Sequence, residues 1–323
     1  MLYPFTFKPV FKSVLWGGDA ISKYKHIHPR LDGIGESWEI SALPGNVSIV
    51  ADGKLKGLSL TDLIASYGEK LLGKKAITQF GYTFPLLIKL IDAKQDLSVQ
   101  VHPNDRLARE RHHASGKTEM WYVIKASEDS YLYSGFSKEI TPERYLQSLN
   151  VGTFLSYLAK HKVKPGDVFF IPAGRVHAIG AGCLIAEIQQ TSDITYRIYD
   201  YDRKDKDGKK RELHTELAKE AIDYRLYPEY KLTYQQGNEV RNLVDSDYFI
   251  TNLIEGKKGN NIHLTHNNTF VIYICIEGNI RLTDNKGNTL FMKQGETCLI
   301  PAENAHLVII HPEKDSKLLE TFI

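Results

Sequence analysis

Two stretches far apart in the chain repeat one another. GDVFFIPAGRVHAI (166–179) aligns without a gap against GETCLIPAENAHLVI (295–309), with Gly, Ile-Pro-Ala and His recurring in register. Gly166 and His177 stand as far apart as Gly295 and His306. Such a match predicts two copies of one β-unit. The first occupies much of 1–230 with helical insertions, the second 240–323, and LYPEYKLTYQQGNEV (226–240) connects them. Strand-like runs dominate both halves: LLIKLIDA (86–93), MWYVIKA (120–126), SYLYSGF (130–136), CLIAEIQQ (183–190), TFVIYICIEG (269–278) and AHLVII (305–310). They are rich in β-branched and aromatic residues and are punctuated by Gly, Pro, Asp and Asn. The expected fold is mainly β, a pair of barrels or sandwiches with a few helical decorations.

Helices are expected over 60–73, with Thr61 as N-cap and Gly73 as stop, over 141–149 behind a capping Thr141 and a Pro, and over 214–225. Lys plus Arg is 41 against 39 for Asp plus Glu, a formal balance of +2, and no basic face points to nucleic acid. The run DRKDKDGKK (202–210) is mixed in sign and reads as a solvated loop. Cys183, Cys275 and Cys298 sit in apolar surroundings without CxxC spacing, as buried free thiols do. The N-terminus lacks the pattern of a signal peptide, and no apolar run is long enough to span a membrane. A cytoplasmic protein is expected, and the sequons at Asn46 and Asn267 then stand idle. Oligomeric state is not legible.

In SVQVHPND (98–105) the side chains of a strand alternate, so Ser98, Gln100 and His102 share one face and Leu97, Val99 and Val101 the other. Setting TFVIYI (269–274) against TEMWYV (118–123) puts Phe270 where the first copy has Glu119. Copy two then keeps the scaffold and a histidine, His306, but loses the carboxylate. His102, Glu119 and His177 are expected to meet inside the first β-unit. Two imidazoles, one carboxylate and open positions suit a catalytic divalent ion such as zinc, with Gln100 offering a further oxygen. His26, His28, His112, His113, His161, His263, His266 and His311 read as exposed or satisfied side chains, and His306 as a structural relic of the repeat.

SVQVHPND, GKTEMWYVI, IPAGRVHAIG and QTSDITYRIYDYDR, with KSVLWGG and GESWEIS nearer the start, resemble the motifs of the type I mannose-6-phosphate isomerases in their short bacterial form. The resemblance runs in order through residues 10–205. It implies two cupin-type jelly-roll β-barrels and a metal-dependent aldose–ketose isomerase that interconverts mannose 6-phosphate and fructose 6-phosphate, with one zinc ion per chain. It implies His102, Glu119 and His177 as ligands and Gln100 as the fourth, as in longer members. It also implies a catalytic Arg197, a substrate-facing Ser98, Lys117, and Glu187 at the family spacing ahead of Arg197. Where longer members carry a lysine shortly after that arginine, this chain has Arg203, which binds oxyanions bidentately rather than as a point charge.

An aldose–ketose isomerisation moves a proton between C1 and C2 while negative charge grows on the carbonyl oxygen. A Lewis-acid ion lowers that barrier, and a cation such as Arg197 adds stabilisation worth roughly 3 kcal/mol. Glu187 leads as proton carrier, with Lys117 and a metal-bound water as alternatives. No Gly-rich loop precedes a helix, so the phosphate falls to side chains: Lys117, Ser98, Arg203 and, more weakly, Lys204. Trp16, Gly17 and Gly18 belong to the matched motifs, Trp38 reads as core, and Glu36 as either an orienter of a ligating imidazole or a surface carboxylate. Two rival readings stand beside the isomerase: an iron-dependent cupin oxygenase and a non-enzymatic phosphosugar-binding cupin.

Overall fold

In the computed structural model, which describes residues 2–205, 207–235, 237 and 239–323, the β-rich runs pair into four antiparallel sheets. Gln236 and Asn238 of the expected connection, and Lys206 of the mixed-charge run, lie outside the described residues. The first seven-stranded sheet runs Lys231–Leu232, Val168–Ile171, Glu119–Ala126, Cys183–Gln190, Leu86–Ala93, Ile34–Ile40, Val10–Gly18. It faces a five-stranded sheet of Tyr196–Tyr199, Val99–Val101, His177–Ile179, Tyr131–Phe136 and Leu158–Lys162. Trp121, Val123, Ile185 and Ile91 from one wall meet Leu132 and Ile179 from the other in a closed apolar core. The second copy repeats the plan. A seven-stranded sheet faces the four strands Ile262–Leu264, Val308–Pro312, Asn279–Thr283 and Thr289–Lys293 over Tyr273, Ile254, Leu282 and Ile310. Two facing sheets per copy are the double-sheet jelly-roll form of a β-barrel.

The two large sheets also pack back to back. Met120, Tyr122, Ile124, Ala186 and Ile188 on one outer face meet Ile272, Ile274, Leu299 and Leu319 on the other. Period-two alternation therefore sends both sets of side chains along a strand into apolar surroundings, and all eight residues of Cys183–Gln190 are buried. Strand Phe5–Lys8 pairs with Thr297–Ile300 and Ile49–Val50 pairs with it in turn, so strands from the first stretch of the chain lie in the second copy's sheet. Phe5 is fully buried there. Phe5→Ala is expected to lower stability by about 3–5 kcal/mol, read as a fall in the midpoint of chemical denaturation.

The helices differ in detail from expectation. Leu60–Tyr67 starts at Ser59, not Thr61: the Ser59 hydroxyl accepts from the Asp62 N–H and the Asp62 carboxylate accepts from the Ser59 N–H, a reciprocal cap. The helix ends at Gly68 (φ 45), and Glu69–Phe80 follows as a second segment broken at Gly73 (φ 81). A Cβ on Gly73 would lie 2.4 Å from the Asn268 carbonyl oxygen. Gly73 thus lets the helical layer touch the second copy, where Lys75 N–H donates to Asn268 O and Phe270 N–H to Leu72 O. Pro142–Asn150 forms behind Thr141 as expected. The third expected helix is confined to Thr215–Ala221, because Ile222 is extended (ψ 132). An unforeseen helix, Asp105–His112, is capped by Asn104 and fills the link between His102 and Glu119.

Candidate metal centre

The polar residues of the first copy gather because cross-strand register lines them up. His177 lies opposite Gln100, and Gln100 opposite Arg197, so three adjacent strands of the small sheet present one polar row. On the facing sheet Lys89 lies opposite Glu187 and Glu187 opposite Trp121, a second row. Between them is a cavity of about 150 Å³ bordered by Ser98, Gln100, Lys117, Glu187 and Arg197.

His102, Glu119 and His177 are all buried, and one donor atom from each falls within 4.8 Å of the others. Each imidazole is oriented from behind: His102 Nδ1 lies 3.0 Å from Ile194 O and His177 Nδ1 2.8 Å from Arg175 O. With Nδ1–H donating to a carbonyl, each Nε2 turns its lone pair inward, where Lys117 Nζ stands 3.0 Å from that of His102. His102 Nε2 is 3.4 Å from Glu119 Oε2, and His177 Nε2 is 3.5 Å from Glu119 Oε1. Gln100 Nε2 lies 3.3 Å from His177 Nε2. Burial, then the Lys117 charge, pushes the His102 pKa down to about 3; burial lowers His177 as well. Both rings are therefore neutral at physiological pH, the form that binds metal. Burial raises Glu119, but the adjacent Lys117 ammonium more than offsets it and holds the carboxyl well below its ordinary range. Glu119 is thus an anion: Lys117 Nζ stands 2.6 Å from Oε2 as an ion pair, while Oε1 meets no hydrogen-bond donor. A buried carboxylate with one unpartnered oxygen, facing two neutral imidazoles, fits a divalent cation. Among the described residues this is the only group of three His, Cys, Asp or Glu side chains so placed.

Glu187 is buried beside this group. Trp121 Nε1 donates to its Oε2 at 2.9 Å, and Lys89 Nζ stands 3.2 Å from its Oε1. Burial and then the Glu119 charge push its carboxyl pKa up. Lys89, itself buried, spans to Glu36 at 3.8 Å. Glu36 accepts from Trp38 Nε1 at 2.6 Å, so it holds a core tryptophan and a lysine, and, half-buried, it borders the same cavity. Arg197 Nη1 donates to Glu212 O at 3.0 Å, while its Nε has no partner. Ser98 borders the same cavity. Arg203 does not: its guanidinium is held on Asp200 and on the Asp96 carbonyl. Arg211 does border it and shares Asp200 with Arg203. Lys89, Trp121 and Arg211 escaped the sequence reading. The signal for Lys89 was a lysine flanked by apolar residues on both sides in a strand run, a charge that a buried partner must satisfy.

The second copy resolves the repeat. Ile171 lies opposite Glu119 and Ile300 opposite Val271, so Val271, not Phe270, occupies the Glu119 position. Tyr273 stands where Trp121 does and faces Glu320 as Trp121 faces Glu187. The Tyr273 hydroxyl donates to Glu320 at 2.8 Å, and His266 Nε2 and Asn252 Nδ2 complete that carboxylate at 2.9 and 2.8 Å. This network is closed on itself. His306 is exposed, its Nδ1 against Asn267. The three cysteines are buried and free.

Fold and site together define a double jelly-roll protein with a cupin-type centre of two histidines and one glutamate. The profile of the phosphomannose isomerase type I catalytic domain matches residues 5–128, and that of the mannose-6-phosphate isomerase cupin domain residues 239–309. The chain is 38% identical over 302 residues to the mannose-6-phosphate isomerase ManA of Bacillus subtilis strain 168, covering 92% of this chain and 93% of that one. A crystal structure of the mannose 6-phosphate isomerase from Bacillus subtilis superposes over 100% of both chains with a TM-score of 0.89 and 32% identity. That of a putative mannosephosphate isomerase from Archaeoglobus fulgidus covers 99% of this chain and 98% of the other at a TM-score of 0.80 and 25% identity. The chain belongs to the type I phosphomannose isomerase family.

Proposed function

We propose that the protein interconverts mannose 6-phosphate and fructose 6-phosphate with one zinc ion held by His102, Glu119, His177 and, after a turn of its amide, Gln100. The observation that supports this most directly is the buried Glu119 carboxylate, one oxygen on Lys117 and the other unpartnered, between two oriented neutral imidazoles. When bound there, the ion supplies Lewis-acid polarisation without redox chemistry. Glu187 carries the proton between C1 and C2; its raised pKa brings it toward the pH at which a carboxylate both takes and returns a proton. Lys89 and Trp121 fix one oxygen each and so hold the carboxylate in one orientation. Arg197, with Nε unpartnered, faces the charge that develops on the substrate oxygen. Lys117 neutralises Glu119 and offers its ammonium to the substrate.

Ser98 and the arginines at the mouth take the phosphate. Arg197, Arg203 and Arg211 stand against Asp200, a cluster with an excess of two positive charges that suits a phosphate dianion. Arg211 touches the cavity and Arg203 acts from behind through Asp200. The buried, unpaired thiols accord with a reducing, cytoplasmic setting, and among the described residues no helix is long and apolar enough to cross a membrane. The deciding experiment is a coupled assay on metal-replete and chelated protein, with mannose 6-phosphate and glucose 6-phosphate in parallel. Turnover of mannose 6-phosphate that vanishes on chelation and returns with zinc is expected. Tight binding without turnover would favour the phosphosugar-binding reading, and stoichiometric iron with oxygen uptake the oxygenase.

A further inference from the structure

A second cavity, of about 470 Å³, opens where the two sandwiches meet, and it shares no lining residue with the cavity at the metal centre. Its volume is that of a small-molecule site, and such sites favour junctions between structural units. One wall carries Tyr122 and Lys125 on strand Glu119–Ala126 and Lys164 just before Val168–Ile171. The other carries Arg241, Glu255, Glu277 and Lys317 from the second copy. Four cations thus face two carboxylates. Arg241 pairs with Glu255, Lys317 with Glu277 at 3.3 Å, and Lys164 turns to Asp167 at 3.3 Å. Lys125 meets no carboxylate among the described residues; its Nζ stands 5.5 Å from the centroid of the Tyr24 ring.

Tyr122 supplies an independent observation. The residue is only 4% exposed as a whole, while it lines the cavity. Its hydroxyl opens there and meets no protein partner among the described residues, so it is free to donate to an acceptor seated beside the surplus cations.

We propose that the junction cavity is a second ligand site, for a small phosphate-bearing metabolite, with Lys125 and the Tyr122 hydroxyl donating to its oxygens. A phosphate accepts from both donors at once, and its charge offsets the excess of cations. Nothing in the isomerase mechanism uses these residues, so the site extends beyond that reading. A ligand here touches both sandwiches, and it touches the first on the strand that carries Glu119.

Equilibrium dialysis of the metal-replete protein with radiolabelled inorganic phosphate, and in parallel with glucose 1-phosphate, tests the site. Wild type and Arg197→Ala are expected to share one saturable equivalent. That equivalent should weaken by about tenfold or more in Lys125→Glu and by about tenfold in Tyr122→Phe, the scale of a lost charge-assisted hydrogen bond. Tyr122→Phe removes one oxygen and keeps the ring, so it tests the site without asking the junction to repack. Isomerase turnover of both junction variants should match wild type, which keeps a failure here separate from a failure at the metal centre. If glucose 1-phosphate binds more tightly than inorganic phosphate, the sugar contributes; equal affinity assigns the site to phosphate itself. Affinities unchanged in both junction variants, or no equivalent that survives Arg197→Ala, would overturn the proposal.

Discussion

Glu119→Gln is expected to leave the protein folded, with less than a tenth of an equivalent of divalent metal and turnover reduced by about a thousandfold or more. The amide keeps the shape of the side chain but removes the anion between the two imidazoles. A Lewis acid of this kind contributes several kcal/mol to the transition state, which sets the scale of the loss. The substitution also strands Lys117, whose ammonium lies 2.6 Å from the carboxylate it neutralises. Removing one partner of a buried pair costs about 3–5 kcal/mol when the other charge stays unsatisfied, so a lower melting temperature should accompany the loss of metal. Elemental analysis by plasma mass spectrometry, together with the coupled assay, measures both quantities. Full metal occupancy with near-normal turnover would remove Glu119 from the centre.

The second large effect is expected at Glu187. Glu187→Gln should lower kcat by roughly 10²- to 10⁴-fold, the range for a lost proton carrier, while metal content stays at the wild-type level. The pH profile separates this from simple damage. Burial and the Glu119 charge raise the Glu187 pKa. A base must be unprotonated to accept the C-bound proton, so wild-type kcat/KM falls as pH drops through that raised value, and the acid limb lies above the ordinary glutamate range. The residual activity of Glu187→Gln should lack this limb. A variant that keeps the limb, or that loses its metal as well, would assign the proton transfer elsewhere and make Glu187 a support for the centre.

Much of this centre could be read before any coordinates. Period-two alternation placed Ser98, Gln100 and His102 on one face, and the repeated Gly, Ile-Pro-Ala and His tied that face to His177. What alternation does not supply is register. The comparison of copies chose Phe270 by local likeness, whereas hydrogen bonding to Thr297–Ile300 sets Val271 at the Glu119 position. A slip of one residue exchanges the two faces of a strand. The slip arose because Thr118 and Tyr122 match Thr269 and Tyr273 in type, whereas strand pairing sets Tyr273 at the Trp121 position. Arg211 was hidden for a different reason. It directly follows the run of mixed charges, and only folding shows that it returns to share Asp200 with Arg203. Caps were legible as residue types but ambiguous between neighbours: Ser59 outcompetes Thr61 because Asp62 answers it.

The pairing of Phe5–Lys8 with Thr297–Ile300 bears on how the molecule is born on the ribosome. Phe5 faces Leu299 across about 290 positions of sequence, so the earlier strand, once made, must wait for the later one to leave the exit tunnel. At synthesis rates of roughly 5–20 residues per second, that wait is on the order of 15–60 s. Throughout it, the nascent chain carries an unpaired, aromatic-rich edge, the kind of segment that other chains and holdase chaperones capture.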